Sequence, residues 1–426
     1  MSQYHLLSFE GPDPYAMAGG LGTRIHGLMD ALGQAGREVH LWFVGDPAMP
    51  GHEQRGSVHL HRWCQWMSAH KPGGVYDGDE EKATDYAASL PPYILRQVLL
   101  PALLRGEHAV VIAEEWQTAH AVLHLDWLLR RAGLRDRVTI VWNANNTFGF
   151  DRVDWGQLQG AASITTVSRY MKHKMQAWGV DPAVIPNGLS PDAYLPPDRA
   201  SVQRLRRALS DRVVLTKMAR FDPDKRWLTT VHIAAEMKRR GTRPLLIARG
   251  GSEAHGSEVL AAAGALGLHV VERSAPRDSG TAGLVEALSN PGEADVIHLR
   301  SFVDPDARRV LFRSSDAVLA NSSHEPFGLV GLEAMAVGGI ACTGCSGEDY
   351  AVPGRNAVVL QTADPGEFIQ LFERVRADRD HASRMRRAGR ATARDYAWPR
   401  VIADNLEPWL GLAAESQGAA ALSSVA

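Results

Sequence analysis

The chain has 426 residues, more than one typical core organises, so two domains of about 150–200 residues are expected. Hydrophobic residues make up 45% and charged residues 22%, an ordinary globular balance, and a formal net charge of −2 argues against general attraction to nucleic acid. The three cysteines exclude a disulfide framework. The start lacks a basic, then apolar, leader, and no uncharged run of about twenty apolar residues follows, so a cytoplasmic chain without a membrane-spanning segment is expected.

In chain order, His5–Phe9 reads as a first strand. Leu21, Ile25, Leu28, Met29 and Leu32 recur at helical spacing, and Gly36 closes that helix. Val39–Val44, Ala109–Ala113, Val138–Trp142 and Ile164–Val167 read as further strands of the same sheet. Near-continuous apolar runs of this kind suit strands buried on both faces. The acidic patch Asp77–Glu81 reads as a solvated loop, because the rest of a calcium-binding loop is missing. His120 and His124, four apart, lack a third ligand and are read as ordinary histidines.

The breaker-rich stretch Pro186-Asn187-Gly188-Leu189-Ser190-Pro191, followed by Leu195-Pro196-Pro197, marks a boundary near residue 190. The strand series then restarts at Val213–Met218, with a helix through Leu228, Val231 and Ala235 that Gly241 ends. Leu245–Ala248, Val296–Leu299, Ala317–Ala320, Ile340–Thr343 and Val358–Leu360 continue it. Alternating β and α segments in two series imply two doubly wound, Rossmann-like parallel-sheet domains, with ligands at the carboxyl ends of the strands. The expected division is 1–190, then 191–396, then a loose tail at 415–426. Cys342 and Cys345 form a C-x-x-C late in the chain without further ligands, and read as small residues at a strand end.

The string from His324 to Met335, HEPFGLVGLEAM, is the most informative segment. It follows the strand Ala317–Ala320 and enters a helix near Gly328. Unpaired amides at that helix start, around Phe327, Gly328, Leu329 and Val330, favour an anionic pyrophosphate. A carboxylate accepts two hydrogen bonds and can hold a vicinal diol, so Glu325 suits sugar hydroxyls and Glu333 a ribose. An isolated E-x7-E is more often two solvated glutamates on an amphipathic helix; the complete string in its strand–loop–helix setting is far more specific.

This segment resembles the E-x7-E signature of retaining glycosyltransferases of the GT-B fold, glycosyltransferase family 4, the group related to glycogen and sucrose synthases. Further landmarks follow the family order over nearly the whole chain. Gly19-Gly20-Leu21-Gly22 resembles the family's Gly-Gly-Leu-Gly loop, whose amides at Gly20, Leu21 and Gly22 would approach the donor phosphate and sugar. The rival dinucleotide fingerprint places its glycines directly after the strand, whereas Gly11–Gly20 intervene here. Arg220 at a strand end, followed five residues later by Lys225, is similar to the family's cationic pair, with Lys217 and Arg226 nearby. Fixed cations there would stabilise the charge that grows on a departing diphosphate. His298 and Leu299 fall where relatives contact the nucleobase. Ile185–Leu189 and Tyr396–Pro399 resemble the family's inter-domain turn and returning helix, which implies that a helix at about 397–412 returns to the first domain.

The chain departs from the family at two places. Gln117, in Glu114-Glu115-Trp116-Gln117, stands where many relatives carry a histidine, and Trp142-Asn143 replaces a His-Asn pair. With Asn145, these residues are assigned to the sugar and acceptor vicinity, and Tyr76–Tyr86 and Asn143–Phe150 to acceptor-facing loops. The resemblance implies a GT-B fold of two domains facing a central cleft. It implies transfer of a hexose, glucose or mannose, from a UDP, GDP or ADP sugar to a hydroxyl acceptor, with retention. Arg220, Lys225 and Glu325 would carry the chemistry, with no metal and no cofactor beyond the nucleotide-sugar substrate. A GT-B epimerase or hydrolase, a nicotinamide-dependent oxidoreductase and a non-catalytic sugar-nucleotide binder remain the rivals. Nucleic acid is not an expected partner, peripheral lipid contact stays compatible, and acceptor, linkage and oligomeric state are left open.

Overall fold

The computed structural model describes residues 3–276 and 278–423. The chain divides into two compact units, residues 1–188 with 397–426, and residues 189–396.

The first unit is built on an eight-stranded sheet of order β3-β4-β2-β1-β5-β6-β7-β8. Its strands are β1 (Gln3–Leu7), β2 (Glu38–Val44), β3 (His52–Arg55), β4 (Val58–Trp63), β5 (Ala109–Glu114), β6 (Val138–Ala144), β7 (Ser163–Thr166) and β8 (Ala183–Val184). All pairs are parallel except β3 with β4. The first strand ends at Leu7 rather than Phe9, yet bonding persists: Ser8 N–H donates to Trp42 O, and Phe9 O accepts from Val44 N–H. Helix Gly20–Gln34 follows β1, and Gly36 closes it with φ +75°, a value that suits glycine. The hairpin β3–β4 was not legible from apolar runs, because its sequence is rich in His, Arg and Glu.

All five histidines of these strands, His5, His40, His52, His59 and His61, lie in register or in contact. His5 pairs with His40, and His40 with His59; the His61 ring stacks on Trp42 at 3.7 Å. Burial holds the imidazoles of His5, His40 and His61 below their usual range, His40 at about 4 and His61 at about 3, with neighbouring histidine charges adding to the effect.

The acidic patch is not a loop throughout. Asp79, Glu80 and Glu81 form the first turn of helix Asp79–Ile94, where negative charge complements the helix N-terminus. The helical run Asp79–Leu104 is, at 26 residues and mean hydropathy 1.2, long and apolar enough to cross a membrane by length and composition. Its apolar residues have another use here. Tyr86, Leu90, Ile94, Leu99 and Leu103 are buried at helical spacing, and the Tyr86 hydroxyl donates to Trp42 O at 2.8 Å. Residues 398–423 are also helical and return to this unit, where Trp398, Val401, Ile402, Leu406 and Leu410 join the core of β1 and helix Gly20–Gln34. The expected loose tail is therefore corrected for 415–423: Gln417 bonds to both Ile140 N–H and Ile140 O, which anchors the helix on β6. Residues 424–426 lie outside the described residues.

The second unit carries a seven-stranded, wholly parallel sheet of order β11-β12-β10-β9-β13-β14-β15. The strands are β9 (Val213–Met218), β10 (Pro244–Arg249), β11 (Val270–Arg273), β12 (Val296–Leu299), β13 (Ala317–Ala320), β14 (Ala341–Thr343) and β15 (Val358–Val359). Helices cover both faces, and Trp227, Val231, Phe368 and Phe372 fill one core with β9 and β13. Because β9 and β13 are neighbours, the loops leaving their carboxyl ends lie side by side. Both hold candidate site residues. Cys342 is buried in β14 and Cys345 is exposed; both are free thiols.

Candidate functional site

In the second unit, the loop after β9 turns through the short helical segment Pro223–Lys225, and Arg226 follows at φ +52° before helix Trp227–Arg239 begins. The loop after β13 is tied to it: Ser323 N–H donates to Asp224 O at 2.8 Å, and the Ser323 hydroxyl donates to the same oxygen at 3.0 Å. This tie places Lys225 Nζ 2.7 Å from Glu325 Oε2, with both side chains about one-fifth exposed. Lys217, on β9, is a different kind of group. Its ammonium is buried, donates to Asn321 Oδ1 at 2.7 Å and lies over the Trp227 ring. Burial and the adjacent Lys225 charge push its pKa down to about 7. Lys217 is thus committed inside, whereas Lys225 reaches the loop surface.

Arg220 is exposed at the same turn, and backbone N–H donors, with its charge adding to them, hold the Glu253 carboxyl low against burial. Glu253 in turn accepts from Phe221 N–H at 2.9 Å and Gly251 N–H at 3.1 Å, fixing the ends of β9 and β10 against each other. Helix Leu329–Ala336 opens behind Gly328, whose φ of +82° only glycine adopts without strain. Its first-turn amides have no intrahelical acceptor, the feature that suits an anion. Glu333 lies one turn along, its carboxylate 3.1 Å from Arg308, and burial raises its pKa against that cation's pull.

The structure brings Lys225, Glu325 and the Gly328 turn together and reassigns two neighbours. The Phe327 side chain is buried against Tyr350 and Tyr396, so only its backbone borders the loop. Leu299 is wholly buried in the core, so its side chain cannot meet a nucleobase; His298, at the end of β12, packs edge-on to Phe221. Sequence reasoning missed Glu348. Its buried carboxyl accepts from Ser346 N–H at 3.1 Å, and burial with the Glu325 charge pushes its pKa up to about 7. Ser346 also accepts from Glu325 N–H at 2.9 Å, so Glu348 supports the turn that carries Glu325.

In the first unit, the Gly19–Gly22 loop holds a surprise. Its expected anion is already supplied by the protein: Glu10 Oε2 accepts from the backbone N–H of Ala18, Gly19 and Gly22 at 2.9–3.0 Å. Gly22 therefore has no amide to offer a phosphate, which corrects its expected role, while Gly20 and Leu21 remain first-turn amides without an intrahelical acceptor. A Cβ at Gly22 would sit 2.8 Å from Glu10 Oε2, which explains the glycine there. The other Glu10 oxygen accepts from the Tyr76 hydroxyl at 2.6 Å. A carboxyl directly after the first strand, ahead of a Gly-rich loop, was the available signal for Glu10.

At the ends of β5 and β6 a second polar cluster forms. Glu114 Oε1 meets Arg24 Nε at 3.0 Å, and Glu114 Oε2 accepts from Asn143 at 2.8 Å and Asn145 at 2.6 Å. Arg24 also donates to Asn187 at 2.6 Å, which ties the Asn187-Gly188 turn to the helix. Asn143 is wholly buried and accepts from Thr165, so its expected place beside the acceptor is corrected to a structural one. Asn145 is half-buried, and among the described residues its Oδ1 has no partner. Gln117 is buried, with Oε1 also lacking a partner among the described residues. Glu115 adopts φ +69°, strained for a glutamate, and burial with the Glu114 charge pushes its pKa up to about 8. The expected acceptor loop Tyr76–Tyr86 is mostly helix from Asp79 onward. Among the described residues, Glu38, His40 and His59 bring ligand atoms within 4.8 Å of one another, on the histidine-rich strands rather than at either strand-end cluster.

The fold has solved counterparts. Sucrose-phosphate synthase from Thermosynechococcus elongatus superposes with a TM-score of 0.68 at 17% identity, covering 97% of this chain and 100% of that one. The catalytic domain of starch synthase IV from Arabidopsis thaliana, bound to ADP and acarbose, gives 0.67 at 16% identity, covering 97% and 99%. Two Rossmann-like parallel-sheet units of this kind define an α/β protein of the GT-B fold. The model of Glycosyltransferase Family 4 matches residues 18–193, and that of Glycosyl transferases group 1 matches residues 281–392. By these matches the chain is similar to the family 4 glycosyltransferases in its first unit and to the group 1 glycosyl transferases in its second. Among curated relatives, the D-inositol 3-phosphate glycosyltransferase of Geodermatophilus obscurus is 29% identical over 253 residues, 58% of this chain and 52% of that protein. The chain spans about half the length, or less, of the first curated relatives it matches.

Proposed function

We propose that the protein transfers a hexose from a nucleoside-diphosphate sugar to a hydroxyl acceptor, with retention of configuration and without a metal ion. The observation that carries this reading is the Lys225–Glu325 pair beside the Gly328 helix start: a cation, a diol-binding carboxylate and unpaired amides on adjoining loops. The second unit would hold the donor. Glu333 would grip the ribose, His298 would border the base, and Lys225 and Arg220 would take the diphosphate. As the bond from the anomeric carbon to the phosphate oxygen breaks, charge builds on that phosphate, where fixed cations stabilise the transition state more than the ground state. The acceptor oxygen bonds to the anomeric carbon on the same face, and its proton passes to the departing phosphate oxygen. No separate base is required.

The first unit would bind the acceptor, with Gln117 and Asn145 as its open hydrogen-bonding groups. An inositol phosphate, the acceptor named for the curated relatives, is the first to test. A cytoplasmic location fits the free cysteines and an intracellular donor pool. The decisive experiment incubates the protein with UDP, GDP and ADP sugars, with and without acceptors and with chelator. Nucleoside-diphosphate release that yields an α-glycoside from an α-linked donor supports the proposal. Release of free sugar or of an epimer alone points to a hydrolase or epimerase, and inversion or chelator sensitivity overturns the mechanism.

A further inference from the structure

The second unit has a pocket of about 480 Å³ at the amino-terminal edge of its sheet, the edge away from Lys225 and Glu325. Arg313 closes the helix that precedes β13, and Val337 follows the helix that precedes β14, which fixes that position. Arg199, Arg206, Arg313, Arg390 and Arg394 line it, and no acidic residue does. Arg386 stands close by. Among the described residues, none of these six guanidinium groups makes an ion pair.

Part of the cluster has an internal explanation. Arg206 donates to Arg313 O at 2.7 Å, while Arg386 and Arg313 donate to Gly338 O at 3.0 and 3.3 Å. Cations at helix carboxyl ends are favourable. That accounts for three of the six. Among the described residues Arg199, Arg390 and Arg394 have no such acceptor, and they add charge where charge is already costly. Burial and the mutual repulsion of Arg206, Arg313 and Arg390 hold Arg313 below the usual arginine range and Arg386 down at about 10, against the opposing pull of Asp316. A concentration of uncompensated cations in a concave site is destabilising until an anion enters. Guanidinium forks suit phosphate oxygens in particular. The remaining wall, with Tyr194, Pro196, Pro197, Val202 and Val337, is largely apolar.

We propose that this arginine pocket binds a phosphate group carried on an apolar body, at a second site separate from the donor loops. Two sources share that chemistry: a soluble organic phosphate and the headgroup of an anionic phospholipid.

The test compares the full chain with the Arg390→Ala/Arg394→Ala variant, whose altered side chains are exposed and outside the donor loops. Inorganic pyrophosphate is titrated by calorimetry at constant ionic strength, and flotation is measured with phosphatidylcholine vesicles with and without phosphatidylglycerol. Because pyrophosphate also suits the donor loops, Lys225→Ala serves as the control. The expected result is binding of at least one probe that weakens about tenfold or more in the double-arginine variant and persists in Lys225→Ala. Loss confined to vesicles assigns the lipid source, and loss confined to pyrophosphate the soluble one. Without any anion the double variant should melt no lower than the parent, since it relieves repulsion; a purely structural role predicts a lower melting temperature. Undiminished binding in the double variant, absence of binding to both probes, or a lower anion-free melting temperature would overturn the proposal.

Discussion

Lys225 and Glu325 are one hundred residues apart in sequence and 2.7 Å apart in space, joined across the loops that leave two adjacent strands. Beside the contact, the Ser323 N–H and hydroxyl both donate to Asp224 O and tie the two loops together. Without substrate, each group is the other's counter-ion. A bound donor would have to draw Lys225 towards phosphate and Glu325 towards hydroxyls.

Replacing Lys225 by Ala is expected to reduce turnover about 10²–10³-fold, the usual cost of one transition-state donor. The pair is partly solvated, so the melting temperature should move by only about 2–4 °C. Steady-state kinetics beside a thermal melt separates the effects. Near-parental turnover would remove Lys225 from the mechanism.

Glu10→Ala leaves three backbone N–H donors without their carboxylate. A loss of about 1–3 kcal/mol is expected in denaturant unfolding, with Glu10→Gln intermediate because one amide oxygen remains. Tyr76→Phe should cost less, since it removes a single bond to the same carboxylate. If Glu10→Ala unfolds like the parent, the loop is held by something else.

The Arg24–Glu114 pair is almost fully buried. Glu114→Ala strands that guanidinium, and a loss of about 3–5 kcal/mol is expected. Asn143→Ala should also destabilise, yet keep its KM for acceptor, because the side chain faces Glu114 and Thr165. A KM rise of about tenfold with unchanged stability would return Asn143 to the acceptor site.

Acid should loosen the histidine-rich strands. His40 and His61 titrate at about 4 and about 3 when folded, and near 6.5 when unfolded. The unfolded chain therefore binds more protons between these limits, and stability falls as pH drops from about 6.5 towards 4. Above about 6.5 the contribution is complete. Melting curves from pH 8 to 4.5 should show this slope, and His61→Phe, stacked on Trp42, should flatten it.

Long apolar strands were readable because burial on both faces leaves an unbroken signal: Val213–Met218 and Ala317–Ala320 fall where the sequence placed them. The strands β3 and β4 were not: His52 meets His59 across the ladder, Glu53 pairs with Arg55 along β3 and with Arg62 on β4, and neither strand carries an unbroken apolar run. At the site, the HEPFGLVGLE string announced Glu325 and Gly328. It could not announce Glu348, whose part depends on a turn twenty residues later, or reveal that Glu10 fills the Gly-loop amides. Local motif chemistry is legible; which group occupies a donor first is decided by folding.

The antiparallel strand His52–Arg55 has a further consequence. It is four residues long, mostly exposed and charged, and it runs against the direction of every other strand in its sheet. At the opposite margin lies a strand of only two residues. An incoming chain seeking to extend this sheet by backbone pairing finds a short, hydrated rail at one side and almost nothing at the other. Neither border is a template for fibrous growth, so this sheet gives sheet-driven aggregation little to pair with.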